Sequence, residues 1–188
     1  MARRTGLFGG SFDPIHFGHL ILAREAMERL SLDRVVFIPA AISPHKLDTP
    51  PSPADARLEM VRAAVEGEPG FEVDDCEFRR EGPSFTVDTV RWMRERNPDD
   101  EWFYFIGDDN LAKLHTWHEF DALEKMVRFV VLSRHADLTD CPYPVVTRRI
   151  DISSTDVRNR VARRLSVRYL LPESACEVIY RRGLYERG

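Results

Sequence analysis

Eleven residues near the N-terminus, Gly9-Gly10-Ser11-Phe12-Asp13-Pro14-Ile15-His16-Phe17-Gly18-His19, join two glycines, a hydroxyl and two imidazoles where an apolar run gives way to a helical pattern. Glycines let a ligand's phosphates approach the main chain, and the following helix offers unpaired N–H groups and the positive end of its dipole. Histidines three apart share a helix face, so His16 and His19 can both reach one phosphoryl group. On its own such a pair also fits capping or metal ligation. The glycine turn around it is what points to phosphate chemistry. It has neither the GxxxxGK[ST] spacing of a Walker loop nor the GxGxxG of a dehydrogenase fingerprint, so the phosphates are held in some other way.

The elements that must carry these groups are legible from periodicity. Residues 5–8 read as a buried strand, 17–30 as a helix and 33–38 as a second strand rich in β-branched and aromatic residues. Strand, glycine turn, helix, strand is a βαβ unit, which requires a parallel sheet. Residues 39–53 contain prolines at 39, 44, 50, 51 and 53 and read as a loop, long enough to suggest function rather than simple connection. Helices are predicted over 54–65, 84–96 and 173–181, and strands over 71–75, 102–106, 127–132 and 145–147. A further helix starts among the hydroxyls of 152–158. The expected fold is α/β: a Rossmann-like, doubly wound, mostly parallel sheet with a small C-terminal helical segment, in a single domain spanning 1–188. In such sheets ligands gather beyond the carboxyl ends of the strands, so Gly9-Gly10, Gly107-Asp108-Asp109 and Ser133-Arg134 converge on one crevice.

Composition narrows the partners. The chain has 188 residues, 43% hydrophobic and 31% charged, ordinary values for a globular protein. Its formal charge of −4 argues against a general nucleic-acid or anionic-membrane binder, so an anionic ligand must be met by local basic groups. All but three of the 27 basic residues are arginines, the lysines being Lys46, Lys113 and Lys125. Three cysteines, Cys76, Cys141 and Cys176, form no CxxC pair, which suggests neither a disulfide framework nor a zinc site and fits a cytoplasmic protein. No signal peptide or membrane span is evident. Nothing in the sequence fixes the oligomeric state, and a homo-oligomer is compatible with it.

Residues 9–19 resemble the signature of the HxGH nucleotidyltransferase superfamily, whose members pass an adenylyl or cytidylyl group from a nucleoside triphosphate to a phosphate or similar acceptor. Four further segments, in order, resemble the nicotinate-nucleotide adenylyltransferase family. These are Ser43-Pro44-His45-Lys46, Ser84-Phe85-Thr86-Val87-Asp88-Thr89, Phe105-Ile106-Gly107-Asp108-Asp109-Asn110-Leu111 with Trp117 beyond it, and the stretch from Ile152 to Arg158. Arg168-Tyr169-Leu170-Leu171-Pro172 and Leu184-Tyr185 agree as well. The resemblance implies synthesis of deamido-NAD from ATP and nicotinate mononucleotide, with Mg2+ bound mainly through the ATP phosphates and no residue assigned to the metal.

It also implies roles. His16 and His19 contact the triphosphate and stabilise the transition state, Lys46 arrives on the proline-rich loop, and Arg158 reaches phosphate from the last motif. Gly9, Gly10, Ser11, Phe12, Ile152, Ser154 and Thr155 border ATP, and Gly107 and Asp109 sit by the adenosine or the shared crevice. Lys46, Thr86, Trp117 and Arg134 hold the nicotinate nucleotide, the indole stacking on its ring. Bare chemistry agrees: a phosphomonoester is already an anionic nucleophile near neutral pH, so positioning and charge neutralisation are what a catalyst must supply. Other acceptors remain in view, namely nicotinamide mononucleotide, phosphopantetheine or a cytidylyl acceptor, as does a non-catalytic nucleotide-binding regulator. Asp13 is expected to fix its turn rather than bind metal, and His115 and His118 to be surface residues. Two departures stand out: Asp108, where the family has a small residue, expected to point outward, and Arg163-Arg164-Leu165, where a glycine is common and a turn of different shape is expected.

Overall fold

Apolar residues in the strands alternate between two faces, and each face meets its own helices. The computed structural model describes residues 2–42, 51–80, 82–134, 138 and 140–186. Its strands are β1 (Arg4–Gly10), β2 (Arg34–Pro39), β3 (Phe71–Val73), β4 (Glu101–Gly107), β5 (Arg128–Ser133) and β6 (Val145–Thr147). They form one sheet in the order β3-β2-β1-β4-β5-β6, and every pairing is parallel, where a mostly parallel sheet was expected. The helices are α1 (Phe17–Arg29), α2 (Ala54–Val65), α3 (Thr86–Arg96), α4 (Asp108–Leu111), α5 (Phe120–Met126), α6 (Ser154–Ala162) and α7 (Glu173–Arg181).

On one face Phe8, Phe37, Phe103 and Phe105 pack with Leu22 and Ala26 of α1, Met60 of α2, Val157 of α6 and Ile179 of α7. On the other, Leu7, Val36, Trp102, Tyr104 and Ile106 pack with Val87, Val90 and Met93 of α3 and Leu123 of α5. Each such burial contributes about 1.5–3 kcal/mol, and a one-residue slip of any strand would exchange its two sets, so the register is strongly held. The sheet winds outward in both directions from β1 and β4, which opens a crevice beyond their carboxyl ends. Gly9-Gly10 and Gly107 stand at that edge.

Two sequence expectations change and one is filled in. The helix expected from 84 starts at Thr86, because Phe85, just after Pro83, is still extended (ψ 132°). The small C-terminal helical segment is present as expected and packs into the main core: Ser174 Oγ donates to the Ala63 carbonyl at 2.7 Å, and Arg182 pairs with Asp55 and Glu59 of α2 at 2.7 and 2.6 Å. The single-turn helices Cys76–Arg79 and Leu114–Thr116, with α4 and α5, were not anticipated. All are too short to show a period.

The unusual Arg163-Arg164-Leu165 turn keeps the shape that a glycine would give. Arg164 is left-handed (φ 56°), its N–H donates to Val161 O, and Leu165 N–H donates to Arg160 O, both at 2.8 Å. This is a Schellman closure of α6 with a residue that is strained in that conformation. Arg164→Gly is expected to raise the unfolding free energy by about 0.5–1 kcal/mol, the relief of strain exceeding glycine's extra entropy in the unfolded chain. Urea unfolding would read this, and a destabilised variant would contradict it.

Candidate active site

The turn from Gly10 to Pro14 is gripped from four distant parts of the chain. Arg57 of α2, only 1% exposed, donates through Nη1 to Ser11 O (2.8 Å), Nε to Ser52 O (3.0 Å) and Nη2 to Ala41 O (3.2 Å). Burial pulls its pKa below the usual arginine value. The Asp13 carboxylate accepts from the Tyr185 hydroxyl at 2.7 Å and the Ser52 N–H at 3.2 Å, so it fixes the turn as anticipated. Arg158 Nη1 donates to Asp13 O at 2.6 Å and Ser154 Oγ to Pro14 O at 2.9 Å, which ties the start of α6 to the same turn. Arg158 also meets Thr155 Oγ1 at 3.1 Å, and Ser153 caps α6 by accepting from Asp156 N–H at 3.1 Å.

Phe12, left-handed at φ 45°, turns its ring inward, where it is 2% exposed. The ring stands edge-on to Phe8 and His19 at 5.4 and 5.1 Å, so Phe12 can offer a ligand only its backbone. The two histidines stack at 3.8 Å with 25° between their planes. The His16 N–H donates to His19 Nδ1 at 3.2 Å, which puts the proton of a neutral His19 on Nε2. Gly18 leaves the room His16 occupies, since a Cβ there would lie 2.9 Å from its ring.

His16 is 1% exposed, and its pKa is lowered from 6.5 to about 3, first by burial and then by the charge of Arg134. Its ring is therefore neutral near pH 7. Because the folded pKa lies below the unfolded value of 6.5, His16's contribution to stability is complete above pH 6.5 and is lost as pH falls towards 3. The unfolding free energy is expected to fall by up to about 1.4 kcal/mol per pH unit from this group in that window, and His16→Asn to flatten the slope. An unchanged slope in the variant would refute the assignment.

On the other side of the turn lies a cavity of about 490 Å3 lined by Gly9, Gly10, Ser11, Thr86, Asp109 and Trp117, together with Tyr104, Phe85, Glu77 and His118. Thr86 begins α3, with Oγ1 3.4 Å from the Tyr104 hydroxyl, and Trp117 stands edge-on to the Tyr104 ring at 6.0 Å. Asp109 Oδ1 accepts from Asn110 Nδ2 at 3.0 Å and fills the space a side chain at Gly107 would need. Asp108 turns neither into the cavity nor freely outward: its carboxylate accepts from Ser133 Oγ of β5 at 2.8 Å and from Asp109 N–H at 3.0 Å. Its charge is directed sideways along the strand ends.

The predicted residues thus fall into two groups joined by the turn. Gly9, Gly10, Ser11, Thr86, Asp109 and Trp117 share the cavity, while His16, His19, Ile152, Ser154, Thr155 and Arg158 gather around the starts of α1 and α6. Arg134, predicted with Thr86 and Trp117, stands with the second group: its Nη1 donates to Ile152 O at 2.7 Å and its charge acts on His16. Lys46, with Ser43, Pro44 and His45, lies outside the described residues. His115 and His118 are both exposed, as expected, and the His118 ring also packs 4.4 Å from Phe85 at the wall of the cavity. Tyr104 and Arg57 were missed. The available signals were a hydroxyl inside an apolar strand and a charge on the apolar stripe of α2.

The chain matches the Cytidylyltransferase-like family over residues 7–160. It is 45% identical over 186 residues to a Thermus thermophilus protein named "Probable nicotinate-nucleotide adenylyltransferase", covering 97% of this chain and 99% of that one. A protein of the same name from Exiguobacterium sibiricum is 43% identical over 187 residues, covering 97% and 98%. Plasmodium falciparum nicotinic acid mononucleotide adenylyltransferase complexed with NaAD has a TM-score of 0.80 and 17% identity, covering 97% of both chains, a likeness of fold.

Proposed function

This chain belongs to the nicotinate-nucleotide adenylyltransferases of the cytidylyltransferase-like family, and we propose that it transfers the adenylyl group of ATP to nicotinate mononucleotide, giving deamido-NAD and pyrophosphate. The observation that carries this reading is the meeting of two unlike half-sites at one turn, a donor-rich group around His16, His19 and Arg158 and a cavity with an indole and hydroxyls. A phosphate oxygen of nicotinate mononucleotide attacks the α-phosphorus of ATP, the bond from that phosphorus to the bridging oxygen of the β-phosphate breaks, and the electron pair leaves with pyrophosphate. No proton need be removed from the nucleophile. The enzyme's task is to bring two anions together and to stabilise charge moving onto the leaving group.

His19 donates from Nε2–H, its other nitrogen being occupied by the His16 N–H, and the neutral His16 and the Arg158 guanidinium extend this donor set. Ser154, Thr155, Ile152 and the backbone of Gly9 to Phe12 border ATP, with Gly107 and Asp109 at the shared crevice and Lys46 arriving from its loop. The hydrogen bond of Arg134 to the Ile152 carbonyl supports a role beside the triphosphate rather than the acceptor. Trp117 stacks on the pyridine ring and Thr86 addresses its substituent. Mg2+ would be held mainly by phosphate oxygens and water, as its reluctance to dehydrate favours, and would supply neutralisation of triphosphate charge. Among the described residues, the exposed Asp109 is available to its water shell, while the buried Glu77 is engaged by Thr89. The unit acts as one domain on diffusible substrates in the cytoplasm. No helix among the described residues is long and apolar enough to cross a membrane.

The test is pyrophosphate release from ATP with a panel of acceptors. Nicotinate mononucleotide is expected to give turnover and a dinucleotide product. Faster turnover with nicotinamide mononucleotide would reassign the acceptor, and none with any phosphate acceptor would end the catalytic reading.

A further inference from the structure

Tyr104 is a residue of this cavity whose chemistry is not yet used. It lies in β4, its ring packed in the core and its hydroxyl at the cavity wall. Three contacts converge on it. The hydroxyl is 3.4 Å from Thr86 Oγ1, the ring stands at 90° to the Trp117 indole with centroids 6.0 Å apart, and the hydroxyl occupies the space that a side chain at Gly9 would fill. Tyr104 therefore touches the two residues assigned to the pyridine ring and the first glycine of the phosphate turn.

We infer that Tyr104 is a positioning residue for acceptor selection, donating its hydroxyl proton to Thr86 so that the Thr86 hydroxyl points its own proton at the substituent of the pyridine ring. The inference rests on the adenylyltransferase reading above. A phenol is the stronger acid and the weaker acceptor of the two hydroxyls, so in this pair the tyrosine donates. Burial pushes the phenol's pKa up, which keeps that proton in place across the working pH range. Accepting that proton turns the O–H of Thr86 away from Tyr104, so Thr86 presents a donor towards the cavity. A donor pairs with either oxygen of a carboxylate, whereas an amide turned with its NH2 group towards it leaves two donors facing each other. The hydroxyl of Tyr104 thus favours nicotinate over nicotinamide without touching either ring.

Steady-state kinetics of the full chain test this with Tyr104→Phe, Thr86→Val and the double variant, each with ATP and either nicotinate or nicotinamide mononucleotide. Tyr104→Phe is expected to raise the KM for nicotinate mononucleotide by about 3- to 10-fold, the usual effect of losing one hydrogen bond. The KM for ATP and kcat should stay within about twofold, and the preference for nicotinate should fall by the same factor as the KM rises. In the Thr86→Val background the same change should have no further effect, because Tyr104 acts through Thr86. An unchanged preference, an equal loss for both acceptors, or the same loss with and without Thr86 would reduce Tyr104 to a packing residue. Those results overturn this inference alone. A wild-type enzyme that forms no dinucleotide from nicotinate mononucleotide overturns the activity reading and this inference with it.

Discussion

His19→Ala is expected to lower kcat by about 10²–10³ while moving the KM for ATP only a few-fold, the pattern left by losing a donor used chiefly in the transition state. The local construction explains why so much rests on one ring. Phe8 and Phe12 meet it edge-on at 5.9 and 5.1 Å, His16 stacks on it at 3.8 Å, and the His16 N–H occupies Nδ1 at 3.2 Å. Those contacts fix both the plane of the ring and its tautomer, so Nε2–H is aimed before substrate arrives and costs little reorganisation during reaction. His19→Gln, which can bring an amide N–H near the same point without the stacked ring, is expected to recover about tenfold of the loss. Near-normal kcat in His19→Ala would remove the imidazole from the mechanism. A matching fall in thermal stability and in affinity for both substrates would assign it to support of the fold.

Much of the site was legible in the sequence because its parts are tied to local punctuation. Gly9-Gly10 ends a β-rich run, Ser153 opens a helical one, and Thr86 stands at the start of another, so each motif could be assigned to a strand end or a helix start before its partners were known. The parallel sheet followed from the same alternation. What could not be read were the contacts across long separations. Asp108 looked like an unwanted charge beside an anion site, but Ser133, 25 residues later, takes its carboxylate at 2.8 Å. Nor could the sequence show that Arg134, expected beside the acceptor phosphate, would have the carbonyl of Ile152 and the ring of His16 as neighbours. Periodicity specifies which face of an element is buried, not which distant polar group will meet it there.

The same distinction bears on charge. A chain of net −4 must neutralise a triphosphate locally, and residue types alone placed both histidines, Lys46 and Arg158 together among the donors and cations for the phosphates. Burial sets one of them apart: His16, with its pKa lowered to about 3, is neutral at pH 7. That choice has a physical use. An uncharged, buried imidazole can give a hydrogen bond to a phosphate without adding to the repulsion among the arginines that gather at the same turn.

Arg57 carries the second large expectation. Arg57→Met keeps most of the side-chain volume but leaves the carbonyls of Ser11, Ala41 and Ser52 without their shared donor, in a place the protein has closed to water. At about 1 kcal/mol for each lost bond, the variant is expected to lose roughly 3 kcal/mol of unfolding free energy in urea, a large share of a typical domain's stability. Arg57→Lys, whose single ammonium cannot reach three carbonyls in a fork, should recover only about a third of that. Kinetics add a second readout, because Ser11 belongs to the turn that meets ATP while Ala41 and Ser52 flank the segment that carries Lys46. In whatever fraction of Arg57→Met stays folded, the KM for ATP should rise by more than the KM for nicotinate mononucleotide, whose pyridine ring is proposed to sit at Thr86 and Trp117. A loss below about 1 kcal/mol would mean that the three carbonyls find other donors, and an equal rise in both KM values would mean that Arg57 supports the whole crevice rather than the phosphate turn.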